Sequence, residues 1–239
     1  MMDSIKKICS DHKTIVMFYM GGVVSIILFS LFIHFFRPTF DAQVINFVRQ
    51  DRGKGLSAFM AFISWWGMNT KMIWTVFVVA AIFFITSYRK EALFTLSVFL
   101  ADGINIILKL LINRSRPQEM DIYPKFQQGS FPSGHVVHYV VFFGFILAVM
   151  LLNPRIPKVI RWVVGALCVF LIAGVSVARI YLGTHWPTDI LVAYVVGFMM
   201  LAVVILQYFK PKFCVGNDEP SRLPALNVAR KRWVKSTSS

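Results

Sequence analysis

Three short polar islands interrupt an otherwise apolar chain: Lys109 with Arg116-Pro117, then Pro132-Ser133-Gly134-His135, then Arg179 with His185 and Asp189. Together they gather three cations, two histidines and one carboxylate. A phosphate monoester is a dianion near neutral pH, and during transfer its phosphorus passes through a species with charge spread over the equatorial oxygens. Fixed cations and backbone N–H groups stabilise that species. The set can therefore hold a phosphate and attack its phosphorus.

Each residue type suits one part of that task. Arg116 and Arg179 offer planar forks to pairs of phosphate oxygens, which a lysine cannot do. Lys109 sits near the end of an apolar segment, where its stem can carry the ammonium to the interface; taken alone it could equally be a snorkelling lysine. Pro132-Ser133-Gly134 opens another apolar segment, so unpaired N–H groups of a helix start would face an anion, with Gly134 leaving room for approach and Ser133 free to cap or to bind. His185 and Asp189 are four apart on a helix that Pro187 can start, which places the carboxylate beside the imidazole. Asp189 can then hold the Nδ1 proton and aim Nε2 outward as a nucleophile. His135 is left as the general acid, and later the base that activates water. Helical spacing puts Asp102, Asn105 and Lys109 on one face, with Asp102 about 10 Å below Lys109 and out of its direct reach. Asp102 reads as a structural carboxylate bonded to a neighbouring helix, with a supporting or proton-transfer role as the alternative. His138, one turn beyond His135, reads as a packed, hydrogen-bonded histidine.

The elements that must position these groups are membrane helices. The chain is 57% hydrophobic and only 15% charged, with mean hydropathy +0.66 over 239 residues, a polytopic membrane composition. Six segments approach the roughly 20 apolar residues needed to cross a bilayer: 15 to 36, 69 to 87, 92 to 112, 132 to 152, 162 to 181 and 188 to 209. The first reads as a retained signal anchor, too long and without a cleavage site for a signal peptide. Leu56 to Met68 is too short to span and ends in Trp65-Trp66, which predicts an interfacial helix between the first two spans. The expected fold is thus all-α, a six-span bundle over 15–209, with a cytoplasmic segment 1–14 and a basic cytoplasmic tail 210–239. Fifteen Lys and Arg fall on the side of both termini and ten on the other, three of those ten being island residues. The positive-inside rule then places the termini in the cytoplasm of an inner-membrane protein and the islands on the periplasmic or extracellular face. Much of the net charge of +14 follows from this topology and implies no nucleic-acid partner. Cys9, Cys168 and Cys214 suggest neither a disulfide framework nor a zinc site.

In order, spacing and placement, Lys109-x6-Arg116-Pro117, Pro132-Ser133-Gly134-His135 and Arg179-x5-His185-x3-Asp189 resemble the three signature motifs of the type 2 phosphatidic acid phosphatase family, which includes integral-membrane lipid phosphatases and shares its site with vanadium haloperoxidases. The resemblance covers about 92 to 209, with one departure: Ala178 stands where the family usually has Ser. It implies hydrolysis of a lipid phosphate monoester or pyrophosphate through a phosphohistidine on His185, with His135 as acid and base, Lys109, Arg116, Ser133, Gly134 and Arg179 binding phosphate, and no metal or other cofactor. Compatible lipids are a polyprenyl pyrophosphate, phosphatidate, phosphatidylglycerophosphate and phosphorylated lipid A. Phosphotransfer to another acceptor, or a lipid-phosphate transporter, stays open. A loop from Asn113 to Phe131 is expected to roof the site. The oligomeric state is not encoded in these patterns.

Overall fold

The computed structural model describes residues 19–22, 24, 39–51, 53–117 and 129–209. Its helices are α1 (Thr39–Val48), α2 (Lys54–Trp65), α3 (Asn69–Ile85), α4 (Arg89–Thr95), α5 (Val98–Ile112), α6 (Gly134–Leu152), α7 (Lys158–Tyr181) and α8 (Pro187–Phe209), and no strand occurs among the described residues. The fold is all-α, as the apolar runs predict.

Helix α6 is the centre of the bundle. Its sequence is apolar on every side, and such a helix is stable only when surrounded. It packs against α7 and α8 most extensively, then α5 and α4. The fit to α8 is close: a Cβ on Gly197 would lie 2.9 Å from Val140 Cβ, so the small residue sets how near the two helices come. The outer faces of α3, α5 and α7 expose Phe77, Ile107 and Trp162 among many large apolar side chains, the surface expected where lipid rather than water is the solvent.

Among the described residues, four helical segments are long and apolar enough to cross a membrane: Arg89–Ile112, in which α4 and α5 run on across a short break, then α6, α7 and α8. The α2–α3 pair, bent by 56°, makes a fifth if the two count as one span. Helix α3 alone has 17 residues, about 25 Å at 1.5 Å per residue, a little short of the hydrocarbon thickness. Helix α2 is the short element predicted over Leu56 to Met68, and it stops at Trp65-Trp66, where Lys71 Nζ lies 4.7 Å from the Trp65 ring. Except for helical residues 19–22 and 24, the first predicted span lies outside the described residues, as do the termini 1–14 and 210–239 and residues 118–128 of the predicted roof.

Two polar pairs lie within the bundle. Asp102 on α5 meets His138 on α6, with Oδ2 3.0 Å from Nδ1. The Tyr208 hydroxyl donates to Glu91 Oε1 at 2.7 Å near the other end. Unpaired, such groups would be costly at membrane depth.

If the α6–α8 contact is limited by size, Gly197→Ala should destabilise the protein by about 1–3 kcal/mol, the usual cost of overpacking. Gly103→Ala, on a face with nothing within 4 Å of the new methyl, should not destabilise. Thermal unfolding of the two variants in detergent checks this, and equal unfolding temperatures would refute the close-packing argument.

Candidate active site

Two chain reversals, between α5 and α6 and between α7 and α8, bring the islands to one end of the bundle. Helix α5 stops where Asn113 adopts a left-handed backbone, φ 40°, a common helix terminator, and the chain leaves through Arg114 to Pro117. Residues 129–130 return beside it: Ser130 N donates to the Arg114 carbonyl at 2.8 Å, and Ser130 Oγ to the Ser115 carbonyl at 3.2 Å. Helix α7 ends at Gly183, φ 66°, whose N–H donates to the Ile180 carbonyl while Thr184 N–H takes the Arg179 carbonyl. Pro187 then opens α8. The starts of α6 and α8 are tied together by Ser133 N–H to the Asp189 carbonyl, 3.4 Å.

The three cations converge. Lys109 Nζ and Arg116 Nη2 donate to one carbonyl, that of Gly129, at 3.1 and 3.4 Å, and Arg116 Nη1 donates to the Thr184 carbonyl at 2.9 Å. Arg179, 2% exposed, donates through Nη1 to Ser64 Oγ at 2.8 Å. His185 lies within electrostatic reach of all three. Burial first, then Arg179, Lys109 and Arg116, push its pKa well below the ordinary histidine value, against a Ser130 carbonyl that raises it. The imidazole is therefore neutral near pH 7, the form in which a ring nitrogen has a lone pair to give.

His135, in the first turn of α6, interacts with Arg179, His185 and Lys109. Its ring packs on the turn after α2: a Cβ on Gly67 would lie 2.6 Å from His135 Cδ2 and 2.9 Å from Tyr139 Cε2. Ser133 precedes the helix with an extended backbone and makes no side-chain cap bond, and its buried hydroxyl has no partner among the described residues. Gly134 faces α5 closely, its missing Cβ lying 3.0 Å from Asn105 Nδ2 and 3.7 Å from Lys109 Cε. Unpartnered buried polar atoms also include Asn105 Oδ1 and His135 Nε2, which marks this end of the bundle as a place for polar guests.

Asp189 stands beside His185. Its Oδ2 is 3.7 Å from His185 Nδ1, in ion-pair range and longer than a hydrogen bond. The carboxylate is already engaged: Arg114 Nη1 donates to Oδ1 at 2.6 Å, and Trp186 N–H to Oδ2 at 3.0 Å. Asp102 stands apart from Lys109, in its pair with His138.

Sequence reasoning overlooked Arg114, Asp41, Ser64 and Gly67. Arg114 was visible between Lys109 and Arg116, but it looked like one more charge on the less basic side. Asp41, Ser64 and Gly67 lie far upstream, and no spacing rule links them to the islands.

Comparison with known proteins places the geometry in a family. The PAP2 superfamily pattern matches residues 90–213. Phosphatidylglycerophosphatase B of Bacillus subtilis (strain 168) is 32% identical over 138 residues, 54% of this chain and 63% of that protein, so this chain spans just under two thirds of that relative's length. An undecaprenyl-diphosphatase of Sulfolobus acidocaldarius is 23% identical over 163 residues, 66% of this chain and 73% of that protein. The crystal structure of the first transmembrane PAP2 type phosphatidylglycerolphosphate phosphatase from Bacillus subtilis has a TM-score of 0.67 at 22% identity, covering 80% of this chain and 98% of that one. That of Aquifex aeolicus LpxE has a TM-score of 0.55 at 20% identity, covering 71% and 96%. At these identities the structures speak for the fold, whereas the sequence pattern, which spans just over half of the 239 residues and contains all three islands, decides the family: the chain belongs to the PAP2 superfamily.

Proposed function

We propose that the protein hydrolyses a phosphate monoester or pyrophosphate on a membrane lipid, by way of a phosphohistidine on His185. The observation that carries this reading is the buried imidazole of His185 in electrostatic reach of three cations and of a second histidine at a helix start. Lys109, Arg116 and Arg179, with the first N–H groups of α6 around Ser133 and Gly134, bind the phosphate and spread its developing charge. His185 Nε2 attacks phosphorus as the bond to the leaving oxygen breaks, and His135 gives that oxygen a proton. His135 then takes a proton from water, the water oxygen attacks phosphorus, and the P–N bond breaks to release inorganic phosphate.

Asp189 closes on His185 as positive charge grows on the ring; a catalytic hydrogen bond that is long in the resting protein can tighten in the reacting complex. The division of labour leaves no step that needs a metal: arginines and a lysine supply the positive charge. The relatives named for phosphatidylglycerophosphate and undecaprenyl diphosphate support a lipid substrate. So does placement, since a site at a bundle end among apolar outer faces lets acyl or prenyl tails stay in the bilayer. Arg89 and Lys90 begin α4, and Arg155, Lys158 and Arg161 lie around the α6–α7 turn, both at the end opposite the site. Counted with the ten Lys and Arg of the two terminal segments, that side carries fifteen cations against ten on the site's side, which supports a periplasmic or extracellular site with cytoplasmic termini.

Purified protein in detergent, given a panel of lipid phosphates with EDTA present, should release inorganic phosphate; activity abolished by the chelator would overturn the metal-free route. His185→Asn should lower kcat by at least about 1,000-fold and His135→Asn by about 100- to 10,000-fold. Retained turnover in His185→Asn would refute the covalent step.

A separate measurement addresses the fate of the phosphoryl group. With a lipid or sugar alcohol added as acceptor, product analysis should find inorganic phosphate as the main product; accumulation of phosphorylated acceptor in its place would make the protein a phosphotransferase.

A further inference from the structure

Helix α1 lies outside the stretch that defines the family, yet it reaches the site through one buried side chain. Asp41, 2% exposed, accepts from Arg114 Nη2 at 2.8 Å, from Thr188 N–H at 3.0 Å and from Thr188 Oγ1 at 2.9 Å. Arg114 Nη1 donates to Thr188 Oγ1 at 2.8 Å and to Asp189 Oδ1 at 2.6 Å, and its guanidinium lies 5.4 Å from the centre of the Trp186 ring. Arg114 is 8% exposed and Asp189 fully buried. The result is a closed circuit of charge-assisted bonds running from α1, through the segment after α5, to the first turn of α8.

We infer that Asp41 and Arg114 are positioning residues for the Asp189–His185 pair, an inference that rests on the phosphatase reading above. Two effects combine. The first is geometric: Arg114 holds Oδ1 and Trp186 N–H holds Oδ2, so the carboxylate cannot rotate, and Oδ2 is the oxygen turned toward His185. Asp41 fixes the same turn from the other side by accepting an N–H at the start of α8, a cap supplied by another helix.

The second effect is electrostatic. Arg114 alone would neutralise Asp189 and leave His185 facing no net charge. With Asp41 on its other amino group, the trio carries one net negative charge, which remains to stabilise the positive imidazole ring as phosphorus is attacked. Asp41 thus acts on His185 at second hand, by occupying the guanidinium that would otherwise quench Asp189. None of these bonds touches Lys109, Arg116 or Arg179, so phosphate binding should not depend on them.

The test uses the full-length protein in detergent, the lipid phosphate it turns over fastest in the panel, and inorganic phosphate as competitive inhibitor. Asp41→Asn keeps an oxygen for Thr188 but removes the charge, and Arg114→Gln removes the bridge. Each should lower kcat by about 10- to 100-fold, the range usual for residues that orient a catalytic group, with KM and the inhibition constant of phosphate unchanged. The losses should not add: once Arg114 is gone, removing Asp41 has little left to change. A rise in KM and in the inhibition constant, with kcat intact, would make Arg114 a phosphate ligand and overturn the inference, as would variants with wild-type kcat or losses that multiply. If Arg114→Gln does not fold, Arg114→Lys replaces it: the shorter side chain lacks the planar fork whose two amino groups reach Asp41 and Asp189, so a fall in kcat alone supports the inference, and a wild-type kcat overturns it. Wild-type protein that releases no phosphate from any lipid would instead defeat the phosphatase reading, and this inference with it.

Discussion

Charge buried in an apolar bundle must be offset where it stands, and that constraint organises one whole end of this molecule. Lys109, Arg114, Arg179, Asp41 and Asp189 are all nearly excluded from solvent. Isolated, each would be intolerable there. Together they divide into two groups with different characters. Arg114 and the two carboxylates satisfy one another with short, well-directed bonds. Lys109 and Arg179, with the partly buried Arg116, donate to neutral oxygens, the Gly129 and Thr184 carbonyls and the Ser64 hydroxyl.

The bundle serves that arrangement by rigidity. Helix α6 is packed on all sides, which fixes where its first turn points, and α8 meets it closely enough at Gly197 and Val140 to leave little freedom. Both helices start at the site end, so their N-termini, with unpaired N–H groups and the positive end of each helix dipole, face the same place. Helices α5 and α7 end there, and their last turns carry Lys109 and Arg179. The up-and-down course of the chain thus does for the site what no single motif could.

How much of this was legible in the sequence depends on whether the signal was local. Spans over 92–112, 132–152, 162–181 and 188–209 were, because each apolar run has the length of a bilayer and ends in recognisable punctuation such as Asn113, Gly183 or Pro187. The islands were legible because lysine, arginine and histidine are conspicuous at the ends of such runs. The pairing of Asp102 with His138 was half visible: the sequence put a carboxylate inside a span and a histidine one turn into another, without saying that the two spans touch. Asp41, Ser64 and Gly67 were invisible. Their importance lies in where they meet other elements, at separations of 73 residues for Asp41 and Arg114, 115 for Ser64 and Arg179, and 68 for Gly67 and His135. Asp189 stands beside His185 as the helical spacing predicts, with Oδ2 3.7 Å from Nδ1, but spacing could not reveal that Arg114 also holds the carboxylate.

Gly129 offers its carbonyl to Lys109 and Arg116 at once, in the position where both converge. That oxygen keeps two mutually repelling side chains directed toward a common point. On the phosphatase reading, a phosphate arriving there would meet donors already aimed and replace a neutral acceptor with a charged one, so little of its binding energy would go into ordering the receptor. The cost of bringing these like charges together is thus met when the chain folds.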